Sequence, residues 1–438
     1  MTLERRLTDA LAGSPLAERL PAAAAAFLER RAQDAAAARL DGPALVGLAR
    51  VLASQPPVAA FLSHRPCFFE RVAALTRDSL AERQRTLSED EARLPGGDLE
   101  EALDALRLRR REEMAFAACA DLADLAPFEV VSDFLSVLAE TTAQSCLHLA
   151  RETLAAKEAA ESFSVIGMGK IAGREFTYHS DLDLIFLYRG GPECVDHASR
   201  LGQRLIAYLT TMTSAGIAYA VDTRLRPSGQ QGMLVTSFEG FESYQTEKAQ
   251  TWEHMAMLRA RPIAGETAEA DALLARVRGR ILARKDSPWE HLDALRRRVE
   301  IERAREGPDT IALKTGAGGL MDVDFLAGGG LLELGTDAFP ALPSVRAMLR
   351  ACATDLRVDA LLQDYRLLRI AEARARWVHG RSIESLHARD EQLGAIADLV
   401  EPGLSREGFL ERLAAARGRI RSAYETVVRA GTIRALTG

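Results

Sequence analysis

Apolar residues recur at spacings of three and four along the first 160 residues of the chain. These segments are rich in Ala and Leu with interspersed Arg and Glu, and alanine lowers the free-energy cost of forming a helix. Turn signals occur at Pro56-Pro57, Pro66 and Pro95-Gly96-Gly97. The pattern therefore predicts an N-terminal helical region, with helices over about 3–40, 43–53, 57–76, 99–125 and 129–156.

The pattern changes to strand character between Phe163 and Tyr188, where two apolar runs flank a glycine-bearing turn and a short polar segment. Past its first residues the second run is apolar on both faces, with Leu182, Leu184 and Phe186 on one side and Ile185 and Leu187 on the other. A strand that has no polar face is covered on both sides. We therefore expect a central strand here.

Two acids, Asp181 and Asp183, open that second run. Residues i and i+2 of a strand point to the same face, so the two carboxylates would project together. Acids at the start of a buried strand are costly unless a metal or another cation compensates them. The spacing favours a site for a divalent cation, and the alternative is that both side chains reach solvent at the strand's edge.

A third acid, Asp222, ends the next predicted strand, which covers 217–222 after a helix at about 198–213. A carboxylate on an adjacent strand could complete a metal site. Arg224 and Arg226 follow on one face by the same alternation, and guanidinium forks suit phosphate oxygens. The alternative for this segment is an internal Asp-Arg salt bridge.

The sequence after this strand predicts a turn at 228–232, a short strand at 233–236 and a helix at about 238–261. That helix carries Trp252-Glu253-His254. An aromatic ring beside an acid and an imidazole could line a nucleotide pocket. The alternatives are a core tryptophan and a structural histidine.

A charged helical segment at about 266–306 precedes one more predicted strand, 311–314, which ends at Lys314. A glycine loop follows and leads into a helix whose first turn holds Asp322 and Asp324. Such a loop offers backbone N–H groups to an anion, whereas acids in a first turn also suit the helix dipole without a catalytic role. From Ser344 onward the sequence is helical again and offers no motif.

The composition is that of a globular protein, since 47% of the 438 residues are apolar and 27% are charged. The net charge of −6 and the pI of about 5.9 do not indicate the basic footprint of a general nucleic-acid binder. The dense basic cluster of the N-terminal region, Arg107, Arg109, Arg110 and Arg111, is followed by two glutamates and is interpreted as a solvated helix face. The length favours two or three domains.

The five cysteines are odd in number and widely scattered without a CxxC pair, so they predict neither a disulfide framework nor a zinc site. No apolar run approaches the ~18 residues that a membrane span needs. The run from Ala22 to Leu28 lacks the basic leader of a signal peptide. We expect a cytoplasmic protein that binds neither a membrane nor nucleic acid.

Two chemistries compete for the central stretch. Residues 167–172, GMGKIA, follow a strand and satisfy the GxGxxG/A pattern of an NAD(P)-binding Rossmann unit. That unit needs a crossover helix of about ten residues or more and an acid at the end of its second strand. Here the helix is short and the acids begin the strand.

Metal-dependent nucleotidyl transfer is the other chemistry. It needs a loop near the triphosphate, two acids that bind metal ions, and a third acid on a neighbouring strand near the attacking oxygen. The residues that fit those parts, in order, are Gly167, Gly169, Ser180, Asp181, Asp183 and Asp222.

Six motifs, GMGK, SDLDLIFL, VDTRLRPSG, GMLVTS, TWEH and K-x-G-x-G-G, occur in this order. Together they closely resemble the adenylyl-transferring half of the glutamine synthetase adenylyltransferase/adenylyl-removing enzyme family, which belongs to the DNA polymerase β-like nucleotidyltransferases. The likeness runs from about Leu45 to Leu334 and is strongest from Phe163 to Arg261. The family protein has two related halves, one attaching AMP to a tyrosine of glutamine synthetase and the other removing it, and this chain has the length of one half.

The resemblance implies transfer of AMP from ATP to glutamine synthetase, with Mg²⁺ as the cofactor and control by a PII signalling protein and glutamine. It implies that Asp181, Asp183 and Asp222 are catalytic and bind the metal. The expected nucleotide-binding residues are Gly167, Gly169, Lys170, Ser180, Arg224, Arg226 and Lys314. The alternative is a non-catalytic or weakly active relative that acts as a regulatory binding protein, and the intact acids weigh against it.

Three places depart from the family pattern. Ala172 stands where the first glycine of a pair is usual, and Asp324 stands where Glu is usual. The run Gly328–Gly330 replaces larger residues within a predicted helix, at a cost of up to ~1 kcal/mol per glycine relative to alanine.

The predicted fold class is α+β, with a nucleotidyltransferase sheet domain between an N-terminal helical region and a C-terminal helical bundle. The predicted boundaries are 1–128 for the helical region, 129–334 for the sheet domain with a helical insertion at about 266–306, and 335–438 for the bundle.

Overall fold

The structure is a computed structural model that describes residues 1–91, 98–154, 162–227, 229, 232–284, 287–335, 339–353 and 355–437. The predicted turn at Pro95-Gly96-Gly97 and residues 228, 230 and 231 of the predicted turn at 228–232 lie outside the described residues. The described chain is mostly helical with a small mixed sheet. This composition agrees with the predicted α+β class.

The helices of the first half, in chain order, are α1 Leu3–Ala10, α2 Leu20–Arg31, α3 Ala35–Arg39, α4 Gly42–Ser54, α5 Pro56–Leu62, α6 Pro66–Ala73, α7 Ser79–Glu91, α8 Leu99–Leu122, α9 Phe128–Thr153, α10 Gly169–Ala172 and α11 Val195–Thr210. Those of the second half are α12 Phe238–Glu247, α13 Thr251–Leu258, α14 Thr267–Leu282, α15 Trp289–Arg303, α16 Leu320–Leu334, α17 Val345–Cys352, α18 Leu356–His379, α19 Leu393–Val400 and α20 Arg406–Ala430. The strands are β1 Ser162–Gly167, β2 Leu182–Arg189, β3 Val221–Asp222, β4 Val235–Ser237, β5 Arg261–Gly265, β6 Thr310–Ala312 and β7 Ser385–His387.

The chain divides into two compact units that interleave along the sequence. The first consists of Met1–Leu138, Thr177–His179 and Ile370–Arg412, and the second of Ala139–Phe176, Ser180–Arg369 and Leu413–Gly438. The division into three consecutive segments stays a prediction.

The first unit is a helical assembly, as its sequence predicts. In place of the single predicted helix over 3–40 it has α1, α2 and α3, because Gly13 at φ +82° and the Pro15 that follows interrupt the pattern. Helix α4 packs directly on α8 at Gly47, where a side chain would overlap the carbonyl of Cys119. Leu48 and Leu106 are among the apolar residues buried in this unit.

The charges of α8 contradict the predicted solvated helix face. Arg107 is 1% exposed and pairs with Asp104 at 2.9 Å. Glu113 is equally buried and receives Arg71 at 2.8 Å and Arg83 at 3.0 Å. The prediction was wrong because α8 is buried along much of its length, so its charged side chains pair inside the unit.

Asp121 is the centre of a second buried polar cluster of this unit. It accepts a 2.7 Å hydrogen bond from the hydroxyl of Tyr178, and Arg374 donates to both of its oxygens, with Nη2 at 2.8 Å from Oδ1. The Tyr178 ring also lies 5.0 Å from that of Trp377. Tyr178, which precedes Asp181 by three positions in the sequence, is therefore firmly held in the first unit.

The second unit contains a five-stranded sheet in the order β3-β2-β1-β5, with β4 also paired to β2. Strand β1 is antiparallel to both β2 and β5, whereas β3 and β4 lie parallel to β2 at its beginning and its end. Residues 184–187 of β2 are at most 1% exposed. The prediction of a central strand covered on both sides is confirmed.

Three predicted elements differ from the structure. The helix predicted at 238–261 is two helices, α12 and α13, followed by β5, which is too short to show a period and carries Pro262. The strand predicted at 217–222 is reduced to β3, because the backbone N–H groups of Ala218 and Tyr219 both donate to the carbonyl of Leu209. The strand predicted at 311–314 is β6, Thr310–Ala312.

No single helix of the described residues is long and apolar enough to cross a bilayer. Helices α4 and α5 meet the length and hydropathy criteria only when taken together across a bend of 118°. The apolar side chains of α4 are largely buried in the first unit, whereas α5 buries Ala59 and Leu62.

Candidate active site

Asp183 and Asp222 lie directly opposite each other on neighbouring strands. Strands β2 and β3 pair in parallel, with Leu182 opposite Val221 and Asp183 opposite Asp222. The N–H of Leu182 donates to the carbonyl of Ala220 at 2.9 Å and continues this pairing. Paired residues of adjacent strands point to the same face of a sheet, so the two carboxylates are neighbours at the edge of the sheet.

Asp181 lies one residue before β2 and is exposed. Its charge still acts on Asp183. The structure therefore brings the three predicted acids to one end of β2, although the strand begins at Leu182 and not at Asp181 as predicted.

The glycine turn after β1 lies against Asp183. The N–H of Met168 donates to the carbonyl of Asp183 at 2.9 Å. Gly169 adopts φ +57°, and a side chain there would come within 3.1 Å of Asp183 Oδ2. Gly169 therefore allows α10 to begin beside the carboxylate, in a backbone conformation that disfavours other residues. Gly167 has a packing role, since a Cβ there would lie 2.8 Å from Ile263.

The electrostatic environment of Asp183 is that of a carboxylate short of positive charge. Burial, together with the charges of Asp222 and Asp181, raises the pKa of Asp183 to about 6. Lys314 and Lys170 oppose this shift. The predicted residues Lys170 and Lys314 thus act electrostatically on the acids, and a bound cation would relieve the remaining repulsion.

Asp222 is paired with the arginine two residues after it. The N–H of Arg224 lies 2.8 Å from Asp222 Oδ1, and its Nη2 lies 2.5 Å from Oδ2. The side chain of Arg224 is 64% exposed, whereas that of Asp222 is 23% exposed. The internal Asp-Arg salt bridge considered for this segment is therefore present, on a guanidinium that remains open to solvent.

The hydrogen bonds of Arg226 are to residues near it in the chain. Arg226 donates through Nη1 to the carbonyl and the hydroxyl of Thr223, each at 2.8 Å, and through Nε to the carbonyl of Gly232. These bonds hold the loop after β3. Ser180 is buried immediately before Asp181.

Lys314 precedes a loop that a buried arginine holds in place. Arg296 of α15 is fully buried, and its Nε donates to Asp322 at 2.5 Å. Its Nη2 donates to the carbonyl of Gly316 at 2.6 Å, and the N–H of Gly318 donates to Asp322 Oδ2 at 2.9 Å. Asp322, which could have been an acid suited only to the helix dipole, thus braces the glycine loop.

A second arginine supports the same loop. Arg417 of α20 donates to the carbonyl of Ala317 at 2.8 Å and pairs with Glu306. Gly318, at φ +68°, packs so closely on the backbone of Arg417 that a side chain would overlap it. Sequence reasoning missed Arg296 and Arg417 because they lie on helices far from the motif, and only the presence of arginines in those helices hinted at them.

Divalent metal ions suit this site by the chemistry of its donors. Mg²⁺ prefers carboxylate oxygens, and Asp183 and Asp222 offer two carboxylates on one rung with Asp181 nearby. Among the described residues, no three His, Cys, Asp or Glu side chains are gathered closely enough to hold an ion, and Arg224 occupies both oxygens of Asp222. The residues fit a divalent ion if Arg224 releases the carboxylate of Asp222, so that the ion can bind those oxygens.

The antiparallel pairing of β1 with β2 does not suit the competing dinucleotide interpretation. A Rossmann unit joins parallel neighbours through a crossover helix, whereas α10 has four residues and the strands around it run in opposite directions.

Trp252 and His254 have different surroundings, although both belong to one motif. His254 is buried, and its Nε2 lies 2.9 Å from the carbonyl of Gln245, as expected of a structural histidine. Trp252 is half-buried and lines a cavity instead of joining the core.

The three departures from the family pattern have local explanations. Ala172 is buried at the end of α10 without a positive φ, so glycine is not required there. Asp324 lies 3.4 Å from Arg259, which also pairs with Glu175.

The glycine run of α16 is a close-packing surface. A side chain at Gly329 would lie 2.8 Å from the Trp289 ring, and one at Gly330 would lie 2.8 Å from the sulfur of Cys352. Alanine would not fit at these positions without a shift of the neighbouring side chains. The helix-propensity cost of glycine relative to alanine therefore does not describe the stability of α16.

Residues 45–276 match the family model described as glutamate-ammonia ligase adenylyltransferase. Several similar curated proteins are named bifunctional glutamine synthetase adenylyltransferase/adenylyl-removing enzyme. The one from Thioalkalivibrio sulfidiphilus is 33% identical over 331 residues, which cover 68% of this chain and 34% of the relative.

Two further relatives have a similar identity to this chain, and the matched region is again about a third of each relative's length. The protein from Xanthomonas oryzae pv. oryzae is 36% identical over 359 residues, covering 78% of this chain and 35% of the relative. That from Pseudomonas aeruginosa is 34% identical over 326 residues, covering 65% and 33%. The chain thus spans about a third of the length of these relatives.

Proposed function

Because this chain belongs to the glutamate-ammonia ligase adenylyltransferase family, we propose that it transfers AMP from ATP to a tyrosine of glutamine synthetase in a Mg²⁺-dependent reaction. The observation that carries the proposal is the rung formed by Asp183 and Asp222, with the glycine turn at Gly169 lying against it. Two ionisable acids that repel each other at an accessible sheet edge are suited to a cation and the phosphates it carries.

Each side chain of the site has a role in this proposal. Asp181, Asp183 and Asp222 hold the metal, which when bound neutralises triphosphate charge and activates the attacking hydroxyl. Asp222 lies nearest the attacking tyrosine. Lys170, Lys314 and Arg224 supply positive charge to phosphate oxygens as the pyrophosphate leaves.

The backbone completes the site. Gly169 leaves room for the triphosphate beside the acids, and Gly167 packs the turn against Ile263 of β5. Gly167, Gly169 and Ser180 together form the part of the site that binds the nucleotide. Arg226 holds the segment that carries Arg224 through its bonds to Thr223 and Gly232, and in this proposal it also binds the nucleotide.

The proposal extends to regulation on the strength of the resemblance alone. Glutamine synthetase is the protein partner, a PII signalling protein and glutamine are the effectors, and the reaction takes place in the cytoplasm, where it adjusts nitrogen assimilation. The GMLVTS and TWEH motifs favour the transferring half of the family over the removing half.

The test supplies glutamine synthetase from the same cell, Mg²⁺ and ATP labelled at either the α- or the γ-phosphate. The label should enter glutamine synthetase from the α-phosphate only, on a tyrosine identified by peptide mass mapping. Asp181→Asn should be inactive, and Asp271→Asn, which changes an exposed aspartate of α14, should be fully active. Incorporation from the γ-phosphate would indicate a kinase and overturn the proposal.

A second arm tests the direction of the reaction. Adenylylated glutamine synthetase is mixed with the protein and either pyrophosphate or orthophosphate. A site arranged for a metal-bound triphosphate should return ATP with pyrophosphate and form little ADP with orthophosphate. Rapid formation of ADP would assign the chain to the adenylyl-removing half.

A further inference from the structure

A cavity of about 500 Å³ lies in the second unit, lined by the connection between α12 and α13, the segment after α14, and α15. Volumes of this size are typical of small-molecule sites. The lining residues that matter here are Gln250, Trp252, His254, Arg284, His291 and Arg298. None of them belongs to the candidate active site described above.

The described lining residues of the cavity include two arginines, Arg284 and Arg298. Arg284 donates to the carbonyl of Thr246 at 2.7 Å, which leaves its charge uncompensated. In the part of the chain that the structure describes, Arg298 and His291 form no hydrogen bond or ion pair. No carboxylate occurs among the described lining residues.

Two acids on α15 are paired with other arginines. Asp293 pairs with Arg297 at 2.7 Å, and Glu300 pairs with Arg296 and Arg421. Two guanidinium groups from different segments, Arg284 and Arg298, therefore line a cavity that has no carboxylate among its described lining residues. Guanidinium forks bind phosphate oxygens strongly, because each can donate two parallel hydrogen bonds.

The cavity also presents an aromatic surface. Of the three tryptophans, Trp289 and Trp377 are buried in the core, whereas Trp252 lines the cavity and its Nε1 donates to Gln250 at 2.9 Å. Burial lowers the pKa of His254, and Arg284 adds to that shift, so this histidine forms a neutral part of the lining. An exposed indole offers a stacking surface to a planar base.

We propose that this cavity binds a nucleoside monophosphate without a divalent metal ion. The base lies against Trp252, and the phosphate is neutralised by Arg284 and Arg298. The aromatic surface and the paired positive charges together favour this class over a simple inorganic anion, which would use only the arginines. The proposal goes beyond AMP transfer, because it assigns a second ligand site with different residues.

The test follows intrinsic tryptophan fluorescence of the full chain during titration with AMP in the presence of EDTA. AMP should quench the emission, and Trp252→Phe should abolish the change while Trp289 and Trp377 still emit. Arg298→Gln should weaken AMP binding by about tenfold or more, as expected when one charged fork is lost. Arg297→Gln, which alters the next residue on the same helix, should bind AMP like the wild type.

Competition with adenosine and with inorganic phosphate separates the two parts of the ligand. Each should bind at least about tenfold more weakly than AMP, because each lacks one of the two contacts. Equal binding of phosphate and AMP, or equal affinity of the Arg298→Gln and Arg297→Gln variants, would overturn the proposal.

Asp183→Asn distinguishes this cavity from the candidate active site. AMP binding in EDTA should be unchanged in that variant, whereas tighter binding would show that AMP occupies the active site instead, because loss of the Asp183 charge removes its repulsion of the phosphate. If the wild type binds AMP as expected but fails to label glutamine synthetase, the proposed function fails and this inference stands.

Discussion

Arg224 holds both carboxylate oxygens of Asp222, with its Nε at 3.0 Å from Oδ1 and 2.8 Å from Oδ2. Burial alone would raise the pKa of Asp222, but the hydrogen bonds and the charge of Arg224, with Lys314, lower it below its ordinary value. Asp222 is therefore ionised at neutral pH and covered by a cation. A metal ion and Arg224 must compete for the same two oxygens.

Arg224→Gln should consequently bind Mn²⁺ more tightly than the wild type when ATP is absent, by roughly three- to tenfold, because a charged hydrogen-bond partner no longer occupies Asp222. Its rate of AMP transfer should fall, since Arg224 also serves the phosphates. Isothermal titration with Mn²⁺ measures the affinity. Arg276→Gln, which removes an exposed partner of Glu242, is the matched control. Equal Mn²⁺ affinity in the Arg224→Gln protein and the wild type would show that no competition exists.

Asp183→Asn should abolish AMP transfer and yet stabilise the metal-free protein. Because the folded pKa of about 6 lies above the ordinary value of 3.8, the folded state holds this proton more tightly than the unfolded chain. The contribution of Asp183 to stability is thus lost as the pH rises through 6, and its charge destabilises the fold at pH values above that. Removing the charge should raise the free energy of unfolding by about 1–3 kcal/mol at neutral pH.

Urea denaturation in EDTA at two pH values checks this expectation. The gain from Asp183→Asn should be clear near neutral pH and small well below the folded pKa. Asp271→Asn is the control, because its carboxylate is exposed. A variant less stable than the wild type near neutral pH would contradict the description of Asp183 as an acid short of positive charge.

Asp322→Asn tests the support of the glycine loop after Lys314. The change removes the buried one of the two ionic partners of Arg296 and leaves only Glu300, and loss of a partner in a buried ion pair costs up to about 3–5 kcal/mol of stability. The transfer rate of the fraction that stays folded should also fall, because Gly316 and Gly318 lose their fixed positions. Arg297→Gln on the same helix should change stability by no more than about 0.5 kcal/mol. A purely structural role predicts instead that each folded Asp322→Asn molecule keeps the wild-type rate and ATP KM.

Gly329→Ala should destabilise the protein, whereas Gly279→Ala should stabilise it. A Cβ at Gly329 would lie 2.8 Å from the Trp289 ring, and overpacking of this kind costs about 1–3 kcal/mol. Gly279 lies inside α14 with nothing within 4 Å of its would-be Cβ, so alanine there should gain about 0.5–1 kcal/mol. Thermal and urea unfolding measure both changes. Stabilisation by Gly329→Ala would show that the glycine run is not a close-packing surface.

Part of this structure follows from local sequence rules. The central position of β2 was predictable, because its apolar residues alternate onto both faces and leave no polar side. The placement of Asp183 beside the turn at Gly169 follows from the antiparallel pairing of β1 with β2, in which Gly167 lies opposite Leu184. These features depend on residues close together in the chain.

Other features depend on packing between distant segments. The pairing of Arg296 with Asp322 joins two helices, and neither helix carries a period that reveals it. The burial of Arg107 follows from the packing of α8, which a count of charges along one helix does not show. Trp252 and His254 stand two positions apart in one motif and both line the cavity, yet only the packed structure shows that His254 is buried and Trp252 half-buried.

The central claim is that the rung of Asp183 and Asp222, with Asp181, forms a site for metal-bound ATP. The most direct test is electron paramagnetic resonance of Mn²⁺ added to the protein with a non-hydrolysable ATP analogue. We predict a spin-coupled pair of Mn²⁺ ions a few Å apart, as in two-metal nucleotidyl transfer, and loss of that coupling in Asp183→Asn. An uncoupled signal in the wild type, or an unchanged coupled signal in Asp183→Asn, would contradict the account.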